Sequence, residues 1–586
     1  MRRRYQRWHL LPHDVTAIGQ LATGAKISPV LAHLLINRGI RDVATAQRFL
    51  SGDLSKLYPP ECLPGVTEAA QRIVRAITQK RRLCIYGDYD VDGVTGTAIL
   101  WRLLTLLEAK VEYHVPDRTL DGYGLNSDRL RELAARGVSL VISVDCGITS
   151  VAEAETAQEL GLELIITDHH EMRMGLDGPV LPPAAAVVHP RLPQEPSYPF
   201  EDLSGAAVAF KLAWAIAQHA CGSRKVTPDL REFLLDAIGL ATLGIIADVV
   251  PLMDENRILV RYGLTRIGKQ PSIGLSALLK VIFEDNPPSH LTSADVGYRL
   301  APHLNVAGRL GCARLAVELL TTASASRAET IAQQLRRLNL ERQARERAYT
   351  KQALEMIERD HAQEPAIVVA SEQWHQGLVG IMANRLVDHY GKPALVIAIS
   401  NDSVAQGSGR SIPGIELHRA LVACSCYLEA HGGHALAAGF KIRPERIAAF
   451  RECFNRYVAQ YQSTISEGHT LQLDAEVPLS SLTVKLVQEL NQLEPFGAKN
   501  PPPRLLATDV KLESPQLIGQ KEPKRHVAFL VRQGQTVLRC VGWDMAERIH
   551  DLLDIKKTYR IAFTPQINTW NGSSRVELNL VDLRED

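Results

Sequence analysis

The chain has 586 residues, 46% apolar and 22% charged, and a formal net charge of +1. At roughly 100–200 residues per domain that is three to five globular domains, and the composition excludes a disordered, collagen-like or disulfide-framed protein. The near-zero charge excludes a uniformly basic nucleic-acid binder, although a balanced total can hold a basic groove. Nine cysteines form no CxxC pair, and the basic start MRRRYQRWHLLPHD lacks a long apolar core. No run of about 18 apolar residues is present. The expectation is a cytoplasmic protein with no membrane segment.

Residues 1–70 read as a helical extension punctuated by Pro, as in SPVLAHLLINRGI and VATAQRFL. From residue 71 apolar runs alternate with amphipathic stretches: RRLCIYG then VTGTAILWRLLTLL, VSLVISV then SVAEAETAQEL, LELIIT then a loop, and AAAVVHP. This rhythm predicts βαβ units and a parallel sheet over 71–270. A helical region follows over 271–360, in which Ala325 to Asp360 reads as one long charged connector helix. A second α/β domain is expected over 361–465, with AIVVA as a strand and LVGIMANRLVDHY as a helix. Over 466–586 the runs LQLDAEV, VAFLV, TVLRCVGW, YRIAFTPQI and SRVELNLVDL predict a small all-β barrel. There is no internal repeat and no low-complexity tract.

Parallel sheets bind ligands at the carboxyl ends of their strands. Asp88, Asp90 and Asp92 follow the first apolar run, and Asp145 follows the second. Asp168, His169 and His170 follow the third, His189 the fourth, and GLATLGIIADVVPL adds Asp248. Carboxylates this close repel one another unless a cation lies between them. Oxygen donors with a little imidazole suit Mn2+ or Mg2+ better than zinc, and Cys146 is expected on the strand face opposite Asp145. An EF-hand loop also begins DxDxDG but needs Glu at its twelfth position, where this chain has Ile99. Two hard cations sharing a carboxylate make a hydrolytic phosphoryl-transfer site.

GDYDVDG, VDCGIT, TDHHEM and GIIADVVPL, in this order, resemble the DHH phosphoesterase superfamily. LNVAGRLG, WHQGLVGIMANRL, GSGRS and GGHALAAGF are similar to its DHHA1 partner domain and the linker before it. With LEPFGAKNPPP, the set is similar to the single-stranded-DNA-specific exonuclease branch, over about residues 30–586. The resemblance implies a DHH parallel-sheet domain, a DHHA1 domain and an OB-like barrel. It implies two ions of Mn2+ or Mg2+ on Asp90, Asp92, Asp145, His169 and Asp248, with Asp145 bridging. It places His170 beside the scissile phosphate. Asp88 and Asp168 join the catalytic group, either on a metal or behind the ligands, and His189 is ligand-like or structural. Some superfamily members carry His where Tyr86 stands here.

The implied activity is 5′→3′ hydrolysis of single-stranded DNA in recombination and repair, by a monomer. Single-strand-binding protein and a helicase are the implied partners. The alternative is hydrolysis of short oligonucleotides or cyclic dinucleotides. A third reading, a non-catalytic replication factor, expects lost carboxylates, and here they are intact. For the substrate, Ser408 and Arg410 of GSGRS suit a phosphate together with backbone amides. His434 is expected before a small-residue helix. Arg118, Asn305 and Arg309 complete the expected substrate contacts. Trp374 stands between core and stacking roles. In the barrel, KEPKRH at 521–526 reads as a groove loop, with Trp543, Phe563 and Trp570 as candidate stackers.

Overall fold

The computed structural model describes residues 7–116, 122, 124–175, 178–400, 404–461, 470–519, 524–546, 557–570 and 573–586. The chain divides into two units. One comprises Ser51–Gln343 with Pro495–Pro501, and the other Met1–Leu50, Ala344–Glu494 and Pro502–Asp586.

In the first unit the predicted apolar runs form a parallel sheet. Its strands are β1 (Arg82–Gly87), β2 (Lys110–His114), β3 (Leu140–Val144), β4 (Glu163–Thr167) and β5 (Ala186–Val188), in the order β2-β1-β3-β4-β5. Both faces are covered, which is why the strands read as continuous apolar runs. Leu83, Ile85, Ile142 and Val144 belong to a core that also takes in α1 (Val91–Leu106), α2 (Gly205–Ala220) and α3 (Pro228–Ala247). Cys84, Tyr86, Val141 and Ile166 pack on the other face. Each fully buried Leu or Ile contributes about 1.5–3 kcal/mol.

Strand order reverses between β1 and β3, because α1 carries the chain to one side of β1 before it returns to the other. Such a reversal opens a crevice at the carboxyl ends of the two strands. The Pro495–Pro501 segment belongs to this unit. Leu252 N donates to Ala498 O at 2.9 Å, Arg257 Nη1 to Pro495 O at 3.5 Å and Ser293 Oγ to Phe496 O. A Cβ on Gly497 would lie 2.6 Å from Leu252 Cδ1.

The predicted connector is helical as α4 (Ala325–Met356) and ends in a wider turn, Ile357–His361. The second α/β sheet has β6 (Ile367–Ser371), β7 (Ala394–Ala398), β8 (Ala405–Arg410), β9 (Leu428–Gly433) and β10 (Ala437–Ile442). Their order is β9-β10-β8-β7-β6, and only β6 and β7 run parallel. The C-terminal strands are β11 (Leu505–Ile518), β12 (His526–Gln533), β13 (Thr536–Gly542), β14 (Tyr559–Trp570) and β15 (Ser573–Glu585). They pair as β11-β12-β13-β15-β14 and close into a barrel through β14 and β11.

Two expectations change. Residues 1–70 are not one helical extension, since the unit boundary falls after Leu50. Arg7–Leu10 is a strand parallel to Thr470–Leu473, and Trp8 Nε1 donates to Asp582 Oδ2 at 2.8 Å. Arg38 follows the helix Pro29–Asn37 and lies 3.7 Å from the buried Asp474 carboxylate. In the barrel, β11 is absent from the predicted strands, and LQLDAEV divides: Leu471–Leu473 pairs with the N-terminal strand, whereas Ala475 and Glu476 pair with Leu505 and Leu506 at the start of β11. Pro515 hides β11: Ser514 turns to φ +49° and the register shifts between Glu513 and Gln516.

Arg38→Ala leaves Asp474 without its cation and is expected to lower stability by about 2–3 kcal/mol in urea unfolding. Arg446→Ala, at an exposed pair with Glu429, is expected to change it by less than about 1 kcal/mol. Equal midpoints for the two variants contradict the anchoring role of Arg38.

Candidate metal centre

Register places the acidic residues. Gly87 pairs with Val144, Val144 with Thr167, and Thr167 with Val188. The ladder runs one residue further: Asp88 N donates to Val144 O at 3.1 Å, Asp145 N to Thr167 O at 3.0 Å and Asp168 N to Val188 O at 3.2 Å. Asp88, Asp145, Asp168 and His189 therefore stand in one row along the sheet edge.

Asp90 caps α1, its carboxylate accepting from Asp92 N at 2.9 Å and Gly93 N at 3.1 Å. One turn in, Asp92 is buried. Its Oδ2 accepts from Gly205 N at 2.6 Å and its Oδ1 from Ala206 N at 3.0 Å, so the N-terminus of α2 holds both oxygens. Asp145 sits at φ +63°, a conformation a non-glycine residue adopts at some cost. Two glycines give the carboxylates room. A Cβ on Gly205 would lie 2.4 Å from Asp145 Oδ1, and one on Gly244 would lie 2.3 Å from Asp92 Oδ1. Asp248 caps the C-terminus of α3.

The two histidines of TDHHEM have different surroundings. His169 Nε2 lies 3.2 Å from Asp145 Oδ1, 3.6 Å from Asp248 Oδ2 and 3.8 Å from Asp92 Oδ2. Burial, then the neighbouring His170, pushes its pKa down to about 3. His170 Nδ1 instead meets Asp168 Oδ1 at 2.7 Å. Burial opposes its charge, but the bond and charge of Asp168 prevail and lift its pKa to about 9.

Asp168 is committed elsewhere than a metal. It accepts from Ile148 N at 2.9 Å, His169 N at 2.7 Å and His170 N at 3.2 Å. Against burial, these bonds and the His170 contact draw its pKa down to about 2. His189 accepts from Arg191 N at 3.0 Å through Nδ1, so its Nε2 carries the proton donated to His170 O at 2.8 Å. It is a structural brace under His170. Tyr86 and Cys146 pack in the apolar cluster behind the sheet, as expected for Cys146.

Ligand atoms gather in three overlapping groups, each within 4.8 Å: Asp88, Asp90 and Asp145; Asp92, His169 and Asp248; and Asp145, His169 and His170. Asp145 belongs to two of them. Among the described residues, Asp88 Oδ1 and His169 Nε2 are buried with no hydrogen-bond partner, although a buried polar atom is normally satisfied. Burial and like charge lift the carboxyls: Asp92 to about 7, Asp248 to about 8, and Asp88 and Asp145 well above the usual range. A hard divalent cation answers both the excess charge and the unmet lone pairs, so the donor set fits Mn2+ or Mg2+.

Other predicted residues fall in varied places. Arg118 lies outside the described residues. Asn305 Oδ1 accepts from Val91 N at 3.1 Å and so braces the start of α1. Half-buried Arg309 ends the helix Ala301–Arg309, where a Cβ on Gly308 would lie 2.3 Å from Tyr89 O.

In the second unit, GSGR is not a phosphate loop but the middle strand β8, whose amides serve the ladder. Its glycines make room for core side chains: a Cβ on Gly407 would lie 2.2 Å from the Phe440 ring, and one on Gly409 2.4 Å from Leu395. On the other face, Arg410 Nη1 donates to Ser408 Oγ at 3.3 Å, and both side chains lie near Gly380 in the first turn of α5 (Val379–Tyr390). GGHALAAGF contains no helix. It is the β9–β10 hairpin with exposed His434 at its turn, so the helix-terminus argument for His434 fails.

Trp374 is core, with Nε1 on Gln352 at 2.8 Å. Phe563 is barrel core and cannot stack on a base. Trp543 is 46% exposed and packs edge-on against His526 at 4.9 Å. Residues 521–523 of KEPKRH and the side chain of Trp570 lie outside the description. The α2 amides that hold Asp92 were missed, because Ser204-Gly-Ala-Ala reads only as an N-cap before small residues.

Family models match three segments: DHH family, N-terminal domain, over 82–242; DHHA1 domain over 363–460; and RecJ OB domain over 473–582. The chain is 38% identical to the single-stranded-DNA-specific exonuclease RecJ of Bacillus subtilis, covering 98% of this chain and 70% of that one. It is 32% identical to the protein of that name from Escherichia coli, over 94% and 95%. A crystal structure of RecJ in complex with Mn2+ from Thermus thermophilus superposes with a TM-score of 0.82 at 31% identity, covering 99% of this chain and 80% of that one. The corresponding Mg2+ complex gives 0.77 at 30% identity, covering 99% and 78%.

The raised carboxyl pKa values make metal binding pH-dependent. Carboxyls lifted to about 7 and 8 keep protons at neutral pH that a cation must displace. Mn2+ titration calorimetry at pH 7, in buffers of different ionisation enthalpy, is expected to report net proton release. Affinity is expected to rise with pH through the range where these carboxyls lose their protons, by about tenfold per pH unit for each proton released. Binding without proton release contradicts the geometry.

Proposed function

The chain belongs to the RecJ family of single-stranded-DNA-specific exonucleases, and from that premise we propose a division of labour among its residues. Asp88, Asp90 and Asp145 hold one divalent cation, and Asp92, His169 and Asp248 hold another. Asp145 is the shared ligand. The observation that carries this reading is that the two groups lie on one sheet edge, with Asp145 within 3.2 Å of His169. Bound there, Mn2+ or Mg2+ supplies Lewis-acid polarisation of phosphoryl oxygens and a water acidic enough to attack at neutral pH.

The remaining chemistry belongs to side chains. Asp168 orients His170 and keeps it charged, so that His170 donates a hydrogen bond to an oxygen of the scissile phosphate. Asn305 and His189 fix the loops beneath these groups. The Asp92 carboxylate, held by two amides, keeps one orientation through turnover. As water attacks phosphorus and the sugar oxygen departs, the negative charge that builds on the phosphoryl oxygens is met by the charged His170.

Ser408 and Arg410 are the candidates for the 5′-terminal phosphate, which gives the 5′→3′ polarity. They are supported by their shared strand face beside the first turn of α5. The barrel holds the strand through exposed Trp543 and the basic pair Lys524 and Arg525. Single-strand-binding protein and a repair helicase are the proposed partners, with the chain acting as a cytoplasmic monomer. The RecJ OB domain match weighs against a short-substrate or cyclic-dinucleotide enzyme.

Single-turnover cleavage of end-labelled single-stranded DNA with Mn2+ tests the centre. Asp145→Ala is expected to lose at least ~10³-fold in rate, several kcal/mol of transition-state stabilisation. Near-normal cleavage by that variant removes the shared-ligand assignment. Arg410→Ala is expected to reduce the preference for 5′-phosphorylated over 5′-hydroxyl ends by about 10–100-fold, as loss of a charge-assisted contact of about 1.5–3 kcal/mol implies. An unchanged ratio places the terminal phosphate elsewhere.

A further inference from the structure

Lys211 lies six residues after Gly205 on α2 and is fully buried. Its Nζ donates to Glu255 Oε1 at 2.5 Å and to Tyr58 O at 2.6 Å. Glu255, also fully buried, accepts from Tyr58 N at 2.8 Å and from the Tyr198 hydroxyl. Lys211 Nζ is 5.4 Å from the Trp214 ring centroid and 6.0 Å from that of Tyr198. This is a buried ion pair with its hydrogen bonds met. Such a pair is a poor device for stability, because desolvating two charges offsets their attraction and apolar side chains of equal volume serve as well. Its advantage is a directed contact of fixed length.

That contact joins two elements of the metal centre. At the start of α2, Gly205 N and Ala206 N hold the Asp92 carboxylate, and Gly205 lies against Asp145. Glu255 lies in the helix Asp254–Lys269, which begins six residues after Asp248. Between them, Asn256 Nδ2 donates to Pro251 O at 3.1 Å and to Asp202 O at 2.6 Å, tying the turn after Asp248 to the segment that leads into α2. A shift of α2 displaces the amides that hold the Asp92 carboxylate, and a shift of the helix Asp254–Lys269 displaces the turn after Asp248. Asp92 and Asp248, with His169, form one ligand group.

We propose that Lys211 and Glu255 are positioning residues for the metal centre. They fix α2 against the turn after Asp248, and so hold Asp92, His169 and Asp248 at the spacing a divalent cation requires. Neither residue touches the cation or the DNA. The inference rests on reading that group as a cation site.

The test uses the full chain without DNA. Lys211→Met combined with Glu255→Gln removes both charges and keeps the volumes, and the amide oxygen can accept from Tyr58 N while its Nε2 donates to the Tyr198 hydroxyl oxygen. The metal-free melting temperature is expected to stay within a few degrees of the parent. Mn2+ affinity by calorimetry is expected to fall about tenfold or more, and the Mn2+-induced rise in melting temperature to shrink with it. Tyr198→Phe removes one hydrogen bond to Glu255 without touching a charge, and serves if the double variant does not fold. It is expected to weaken Mn2+ binding severalfold at an unchanged fold. Parental Mn2+ affinity in either folded variant makes the pair merely structural and overturns the proposal. Asp248→Asn separates the two readings: if it binds Mn2+ as the parent does, the cation reading fails and the proposal falls with it.

Discussion

The structure is organised around negative charge that has nowhere to go. Asp88 and Asp145 are buried at the ends of β1 and β3, Asp92 in the first turn of α1, and Asp248 joins them from the end of α3. Water cannot screen charges placed so deep. The chain supplies part of the compensation itself: α2 points its N-terminus at Asp92, and α1 points its own at Asp90. The rest must come from cations, and the upward shift of the Asp88, Asp92, Asp145 and Asp248 carboxyls has the same cause, burial beside like charge. Small residues at 205 and 244 let helices approach close enough to hold the carboxylates.

Much of this was legible in the sequence because strand ends are legible. Continuous apolar runs predict buried parallel strands, and the residue after each run falls on the sheet edge by register. That reasoning places Asp88, Asp145, Asp168 and His189 in one row without knowledge of any side-chain contact. Separating their roles needed the structure. Asp168 and His189 occupy the same row as Asp145, yet their atoms are taken up by amides and by His170. No residue type distinguishes a ligand from a brace.

Glycine and small residues misled in both directions. GSGRS reads as a phosphate site offering free backbone amides, but its glycines lie in a strand, where Phe440 and Leu395 occupy the space over them. GGHALAAGF reads as a turn and a helix start, since alanine favours helix. It forms a hairpin because β8 offers an open edge, and pairing with it outweighs local propensity. The N-terminal strand Arg7–Leu10 was hidden for the same reason, as its partner lies more than 450 residues away. Non-local pairing of this kind leaves no signal in local pattern.

The most direct test of the account is anomalous diffraction from crystals of the full chain grown with Mn2+, with data collected at the manganese edge. Two peaks are predicted, one among Asp88, Asp90 and Asp145 and one among Asp92, His169 and Asp248, with an Asp145 oxygen within coordinating distance of both. A single ion, or two ions neither of which touches Asp145, would contradict it.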